Sequence, residues 1–217
     1  MENVGIDTIA LQRFGDFRGT GQPRDVVAGH VRDAAQAHGR KFYIMYDISG
    51  WDTFQTDLKS DWTQNIVGEL HLTDSPAYAK QNGKPVVCIW GVGYSGHPGT
   101  PQTTLDVITW FQGQGLYVIG GVGNDWRTAD GTRWSQASFG QVFDTLDAIS
   151  PWMVGIIGDD AETAATSAGI PGGTSFVTLD EDGTQCSSDY YLRLTGDGGK
   201  MLKQHIPLTA TRPTSPM

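Results

Sequence analysis

The sequence predicts an α/β fold in which parallel strands alternate with helices, and three observations carry that expectation. Five short apolar runs are continuous rather than alternating, the pattern of strands covered on both faces. Amphipathic helical patterns separate them. The runs also recur at intervals of roughly 30 to 45 residues, the length of a βα unit.

The runs lie at 8–11, 42–46, 86–90, 117–119, and 148–149 leading into 152–154. The clearest helix between them is the i, i+4 ladder Phe54, Leu58, Trp62, Ile66 and Leu70, which drifts slowly around one face and makes a packing stripe. Shorter stripes are Val27, Val31, Ala34 and Ala35, then Leu105, Ile108 and Phe111, then Phe139, Val142, Phe143 and Leu146. Gly39, Gly83, Gly115 and Pro151 stand near the boundaries, as helix stops and turns do.

Two architectures satisfy this grammar: a closed eight-stranded barrel and an open doubly wound sheet. The second needs Gly-x-Gly-x-x-Gly after its first strand, and Gly91-Val92-Gly93 is too short a match. A full barrel takes about 250 residues, and the chain has 217. The expected fold is therefore an incomplete (β/α)8 TIM-type barrel. It forms a single domain over 1–217, with five βα units in 1–157 and a shortened junction in 158–173. A C-terminal strand, Ser175 to Leu179, and a packing segment fill 174–217.

Charge and motif content exclude several function classes. A formal net charge of −9 without a Lys/Arg cluster disfavours nucleic acid and anionic membrane surfaces as partners. No apolar run approaches the roughly 20 residues of a membrane helix. The N-terminus shows no signal peptide, so the chain as it stands reads as cytoplasmic. Cys88 and Cys186 form no redox or metal motif, and the five histidines lack zinc spacing. Neither a cofactor nor a metal is expected. A barrel missing strands would leave open edges, through which copies could self-associate.

In parallel α/β folds ligands bind at the C-terminal ends of the strands. Those positions hold Gln12 and Arg13, then Tyr46, Asp47 and Trp51, then Trp90, then Asn124, Asp125 and Trp126, and finally Trp152. Carboxylate, guanidinium and amide groups hydrogen-bond hydroxyls, and indoles offer faces to pyranose rings, so the set points to carbohydrate. Duller readings stand beside it: an Arg13–Asp47 ion pair, and Trp90 and Trp152 as packing residues. Trp62 and Trp110 lie on helix stripes and read as core. Glycoside hydrolysis usually needs two carboxylates. Asp159, Asp160 and Glu162 are the compact acidic group after a late strand, against the alternative of a solvated loop.

Several segments together resemble the endo-α-mannosidase-like glycoside hydrolases (families 71 and 99), some of them labelled xylosidase/arabinosidase. They are Gly5-Ile6-Asp7-Thr8-Ile9-Ala10-Leu11-Gln12-Arg13-Phe14, Phe42-Tyr43-Ile44-Met45-Tyr46-Asp47-Ile48-Ser49-Gly50 and Asn82-Gly83-Lys84-Pro85-Val86-Val87-Cys88-Ile89-Trp90-Gly91. Ile149-Ser150-Pro151-Trp152 and Cys186-Ser187-Ser188-Asp189-Tyr190-Tyr191-Leu192-Arg193-Leu194-Thr195-Gly196 complete the set. The resemblance implies a (β/α)8 barrel acting on glycans. It also implies a strand and helix ahead of Gly5, and further barrel where this chain has only 153–173. Asp160 and Glu162 within Gly158-Asp159-Asp160-Ala161-Glu162-Thr163-Ala164 would hold the family's carboxylate positions. The expected function is a glycoside hydrolase-like protein that acts on glycans, or a non-catalytic relative or inactive truncated product that binds them at most.

Overall fold

The structure, a computed structural model, describes residues 6–15 and 21–152, with three short strands at 194–195, 200–201 and 206–207. The elements run β1 (Thr8–Arg13), α1 (Gly21–Ala37), β2 (Lys41–Asp47), α2 (Phe54–Ser60), β3 (Lys80–Gln81), β4 (Lys84–Trp90), α3 (Pro101–Gly113), β5 (Tyr117–Val122), α4 (Gly140–Thr145) and β6 (Ala148–Pro151). The C-terminal pieces are β7 (Leu194–Thr195), β8 (Lys200–Met201) and β9 (Ile206–Pro207).

All five expected strands form, as β1, β2, β4, β5 and β6. They are parallel and hydrogen-bonded in sequence order, β1-β2-β4-β5-β6. The α/β expectation is met in this coarse sense: a parallel sheet with flanking helices. Among the described residues the sheet is not closed. Its far end carries β9, which pairs antiparallel to β6, while β7 and β8 form a separate hairpin. A further hairpin joins β3 to β4 across Asn82 (φ 52) and Gly83 (φ 78), both left-handed, as a type I′ turn requires.

Because strand side chains alternate, the register sorts every residue to one of two faces. One face carries Leu11, Arg13, Ile44, Tyr46, Val87, Ile89, Val118 and Gly120. The helices pack here. Tyr46 stacks on Phe111 of α3 at 6.2 Å, and Phe111 meets Trp62 edge-on at 5.7 Å. A side chain at Gly120 would sit 2.3 Å from Leu146, so the glycine lets the end of α4 close on β5. The opposite face carries Gln12, Asp47, Cys88, Trp90, Ile119 and Gly121. The core thiol expected at Cys88 is buried and free, and burial pushes it up to about 12.

The helices differ from their predicted stripes in instructive ways. In α1 the buried residues are Ala28 and Ala35, with Val31 packed against the core, while Val27 is 49% exposed and Ala34 faces outward. Alanine, not valine, lets the helix approach the sheet. The ladder from Phe54 to Ile66 is buried as predicted, with Leu70 packed at its edge. Its backbone is not uniform, however. After Ser60 it widens into π-helix over Asp61–Glu69, and Leu70 N–H donates to Asn65 O at 2.7 Å. Helix α3 starts on a reciprocal cap: Thr100 Oγ1 accepts from Thr103 N–H, Thr103 Oγ1 accepts from Thr100 N–H, and Pro101 follows. The junction 158–173 and the strand expected at 175–179 lie outside the described residues.

Candidate functional site

Gln12 and Arg13 are neighbours in sequence, so they leave β1 on opposite faces. Arg13 enters the helix layer, where it is 1% exposed. It forms a fork on Asp61, Nε to Oδ2 at 2.9 Å and Nη2 to Oδ1 at 2.6 Å, and its Nη1 lies 2.7 Å from Asp25. Asp61 also accepts from Tyr46 Oη at 2.8 Å, from Asn65 Nδ2 at 2.8 Å and from Arg24 Nη2 at 3.1 Å. Burial would raise the Asp61 carboxyl, yet the Arg13 bond and charge outweigh it and hold that carboxyl below its ordinary range. Burial, reinforced by Asp61, drives the Tyr46 phenol well above its usual value.

The Arg13–Asp47 ion pair therefore does not form, and Arg13 and Tyr46 do not share an opening with Asp47 and Trp90. The period of two along each strand is the reason. Trp51 also turns into the helix layer: its Nε1 donates to Asp57 at 2.8 Å and its ring meets Tyr46 edge-on, leaving it 5% exposed. Trp126 is 4% exposed, with the Arg127 guanidinium 5.0 Å from its ring centre. Neither indole presents a free face to a ligand. Asp125 is spent on its own loop, accepting from Trp134 N–H, Ser135 N–H and Ser135 Oγ.

Gln12, Asp47, Trp90 and Trp152 do come together, on the face opposite Arg13. Gln12 Nε2 donates to Asp47 Oδ2 at 2.7 Å, and Ser49 donates to Asp47 Oδ1 through both its N–H and its hydroxyl. The Ser49 hydroxyl lies 3.5 Å from His97 Nε2. Asp47 is thus a carboxylate fixed from three directions. A carboxylate has about four lone-pair sites, so one more donor can be accommodated. Burial pulls the His97 imidazole below its ordinary value, with Asp47 acting in the other direction.

Beside this group runs a row of rings. Trp152 meets Trp90 edge-on at 5.4 Å, Trp90 lies 5.8 Å from Tyr94, and Tyr94 lies 5.7 Å from Trp134. His97 fits against both Trp90 and Tyr94, at 5.4 and 5.0 Å. The two ends of the row are open, Trp152 at 42% and Trp134 at 45% exposure. Glycine makes the arrangement possible. A Cβ at Gly121 would sit 2.3 Å from the Trp90 ring, and one at Gly91 (φ 100) would sit 2.3 Å from His97 Nδ1.

Sequence reasoning missed Ser49, Tyr94, His97 and Trp134. A usable signal existed for one segment, Gly91-Val92-Gly93-Tyr94-Ser95-Gly96-His97, which is Gly-rich, carries aromatic residues and directly follows β4; Asp130-Gly131-Thr132-Arg133-Trp134 starts eight residues past the end of β5 and carries no such signal. Backbone pairing brings the two together: Ser95 N–H donates to Trp134 O at 2.6 Å, and Gln136 N–H to Gly93 O at 2.7 Å. Asp160 and Glu162 lie outside the described residues. Among the described residues no group of His, Cys, Asp and Glu is placed to hold a metal ion, and no helix is long and apolar enough to cross a membrane.

Fold and site define an α/β protein whose parallel strands present a fixed carboxylate and an aromatic row at their C-terminal ends. No family model, no curated protein and no solved structure matches the chain.

Proposed function

We propose that the protein is a glycoside hydrolase-like carbohydrate binder, built on the wall of an incomplete (β/α)8-type barrel. The observation that carries this reading is the row Trp152–Trp90–Tyr94–Trp134 beside the Gln12–Asp47–Ser49 group. Sugar rings have apolar faces that stack on indoles and hydroxyl edges that donate to a carboxylate. Here both kinds of partner are held rigidly, so little ordering cost falls on binding. The barrel part of the proposal is supported by strands in sequence order and by helices on one face, since doubly wound sheets carry helices on both.

Hydrolysis would require an acid and a second carboxylate flanking the bond. On the proposed reading Asp160 and Glu162 fill those roles, and glycan binding does not depend on them. Titration of intrinsic tryptophan fluorescence with mannan- and xylan-derived oligosaccharides tests the binding. Saturable quenching is expected in the wild type, weakened about fivefold in Trp134→Ala and in Trp152→Ala, as loss of one stacking contact of about 1 kcal/mol implies. No response to any of these glycans would end the carbohydrate reading. Hydrolysis of aryl glycosides that survives unchanged in Glu162→Gln would remove Glu162 from catalysis.

A further inference from the structure

Strand β1 is the outermost at one end of the sheet: among the described residues it pairs with β2 and with nothing on its other side. Burial follows from that position. Ile9 and Leu11 are only partly buried, whereas their register partners in β2, Phe42 and Ile44, are fully buried. Lys41 N–H donates to Asp7 O, and the direction of the peptide groups alternates along a strand. The N–H and C=O groups of Thr8, Ala10 and Gln12 therefore point away from the sheet. Devices that blunt such an edge are absent, because residues 8–12 include no charge, no proline and no glycine.

We propose that this edge is a homodimer interface, in which β1 pairs antiparallel with β1 of a second copy about a two-fold axis at Ala10. Register is the first argument. Hydrogen-bonded pairs must come from outward-facing residues, and this axis sets Ala10 against its own copy and Thr8 against the second copy's Gln12. Ile6 and Phe14 stand four residues to either side of Ala10, so each meets the other across the axis. They are the exposed large hydrophobics flanking β1, at 45% and 46%. An edge whose exposed apolar residues are symmetric about its own centre is complementary to itself, as an isologous contact requires. A different partner would gain nothing from that symmetry.

The helix layer supplies the second argument. Helix α1 packs on β1 and β2, and its Arg24 and Arg32 reach Asp61 and Leu70 O on the side of the neighbouring helix. At about 100° per residue, Val27 and Ala34 lie on the flank turned away from Arg32, over the open side of β1. Both are exposed. Pairing β1 with its copy sets the two α1 helices side by side at about 10 Å, a separation at which helices pack. Their apolar flanks then meet in antiparallel order. Charge does not oppose the contact. Each copy carries −9 overall, but Asp7, the acid beside the edge, is paired with Arg40 at 2.9 Å.

Sedimentation of the whole chain over a concentration series tests the interface, with a particle of twice the 23.5 kDa chain mass expected. Phe14→Glu changes an exposed side chain. Ala10→Pro deletes the outward N–H at the axis and no bond to β2. Melting temperatures identify a variant that fails to fold. Each change counts twice in a two-fold contact, so each should raise the dissociation constant about a hundredfold. A wild type that stays monomeric throughout the series would overturn the interface, as would a dimer that both folded variants leave intact. Mild oxidation tests the register. Ala10→Cys should cross-link two copies, because facing Cα atoms of a hydrogen-bonded pair lie about 5.5 Å apart, within disulfide reach. Cross-linking of Leu11→Cys in place of Ala10→Cys would overturn the axis at Ala10.

Discussion

Two polar groups sit on the two faces of one sheet, built from residues adjacent in sequence, and they have opposite characters. Beneath the sheet, Arg13 and Arg24 meet Asp25 and Asp61 with Tyr46 and Asn65 around them. Above it, Gln12 and Asp47 stand beside Ser49, His97 and a row of half-open rings. The lower group is closed on itself, with each of its charges matched. The upper group is held firmly yet keeps acceptor capacity and ring faces for something else. Charge and burial alone do not separate a site from a scaffold; what separates them is whether the groups have already used their partners on each other.

The largest test of that contrast is Asp61→Ala. Removing one partner of a buried pair leaves the other charge uncompensated and costs about 3–5 kcal/mol. Chemical denaturation should show a loss of that size, with glycan affinity of the surviving folded protein unchanged. An affinity loss of the same scale would mean that the two faces are not independent. Asp61 also sets an acid limb. Its carboxyl is held below 3.8 in the folded state. The stability it contributes is therefore present above that value and is lost as pH falls through the lower folded value.

Asp47→Ala should behave in reverse. Its carboxylate is ringed by donors rather than by a buried cation, so folding loses less than with Asp61→Ala. Glycan affinity should fall about tenfold or more, because hydrogen bonds to a charged group contribute about 1.5–3 kcal/mol. The measurement is the pair of changes, melting temperature and dissociation constant, taken on one sample. A large fall in stability with unaltered binding would make Asp47 a second scaffold residue.

Much of the fold was legible because the strand runs are continuous and apolar, and burial on both faces demands that pattern. The β3–β4 hairpin escaped notice because β3 is two residues of Lys80 and Gln81, with no apolar signal at all. The site was half legible. Position at strand ends found Gln12, Asp47, Trp90 and Trp152, but it also drew in Arg13, Tyr46 and Trp51. Only register decides which of two adjacent residues faces the helices, and register is a property of strand pairs. Trp134 was illegible for another reason. It is placed by pairing between two loops, and nothing in either loop alone announces the other.

The smallest predicted effect is at His97, and it sharpens the contrast along the pH axis. Burial among Trp90, Tyr94 and Gly91 lowers the imidazole from its ordinary 6.5, while Asp47, reached through Ser49, acts against that shift. A folded value below the unfolded one means that stability is complete above about 6.5 and declines as pH falls through the lower folded value. The upper face therefore loses stability first on acidification, and the lower face only below the carboxylate range. His97→Gln should abolish the first slope and leave the second intact, read by melting temperature against pH. Should the first slope persist in His97→Gln, the titrating group lies elsewhere. If the second slope vanished with it, the two faces would have to share one titrating network, which their separation by the sheet does not allow.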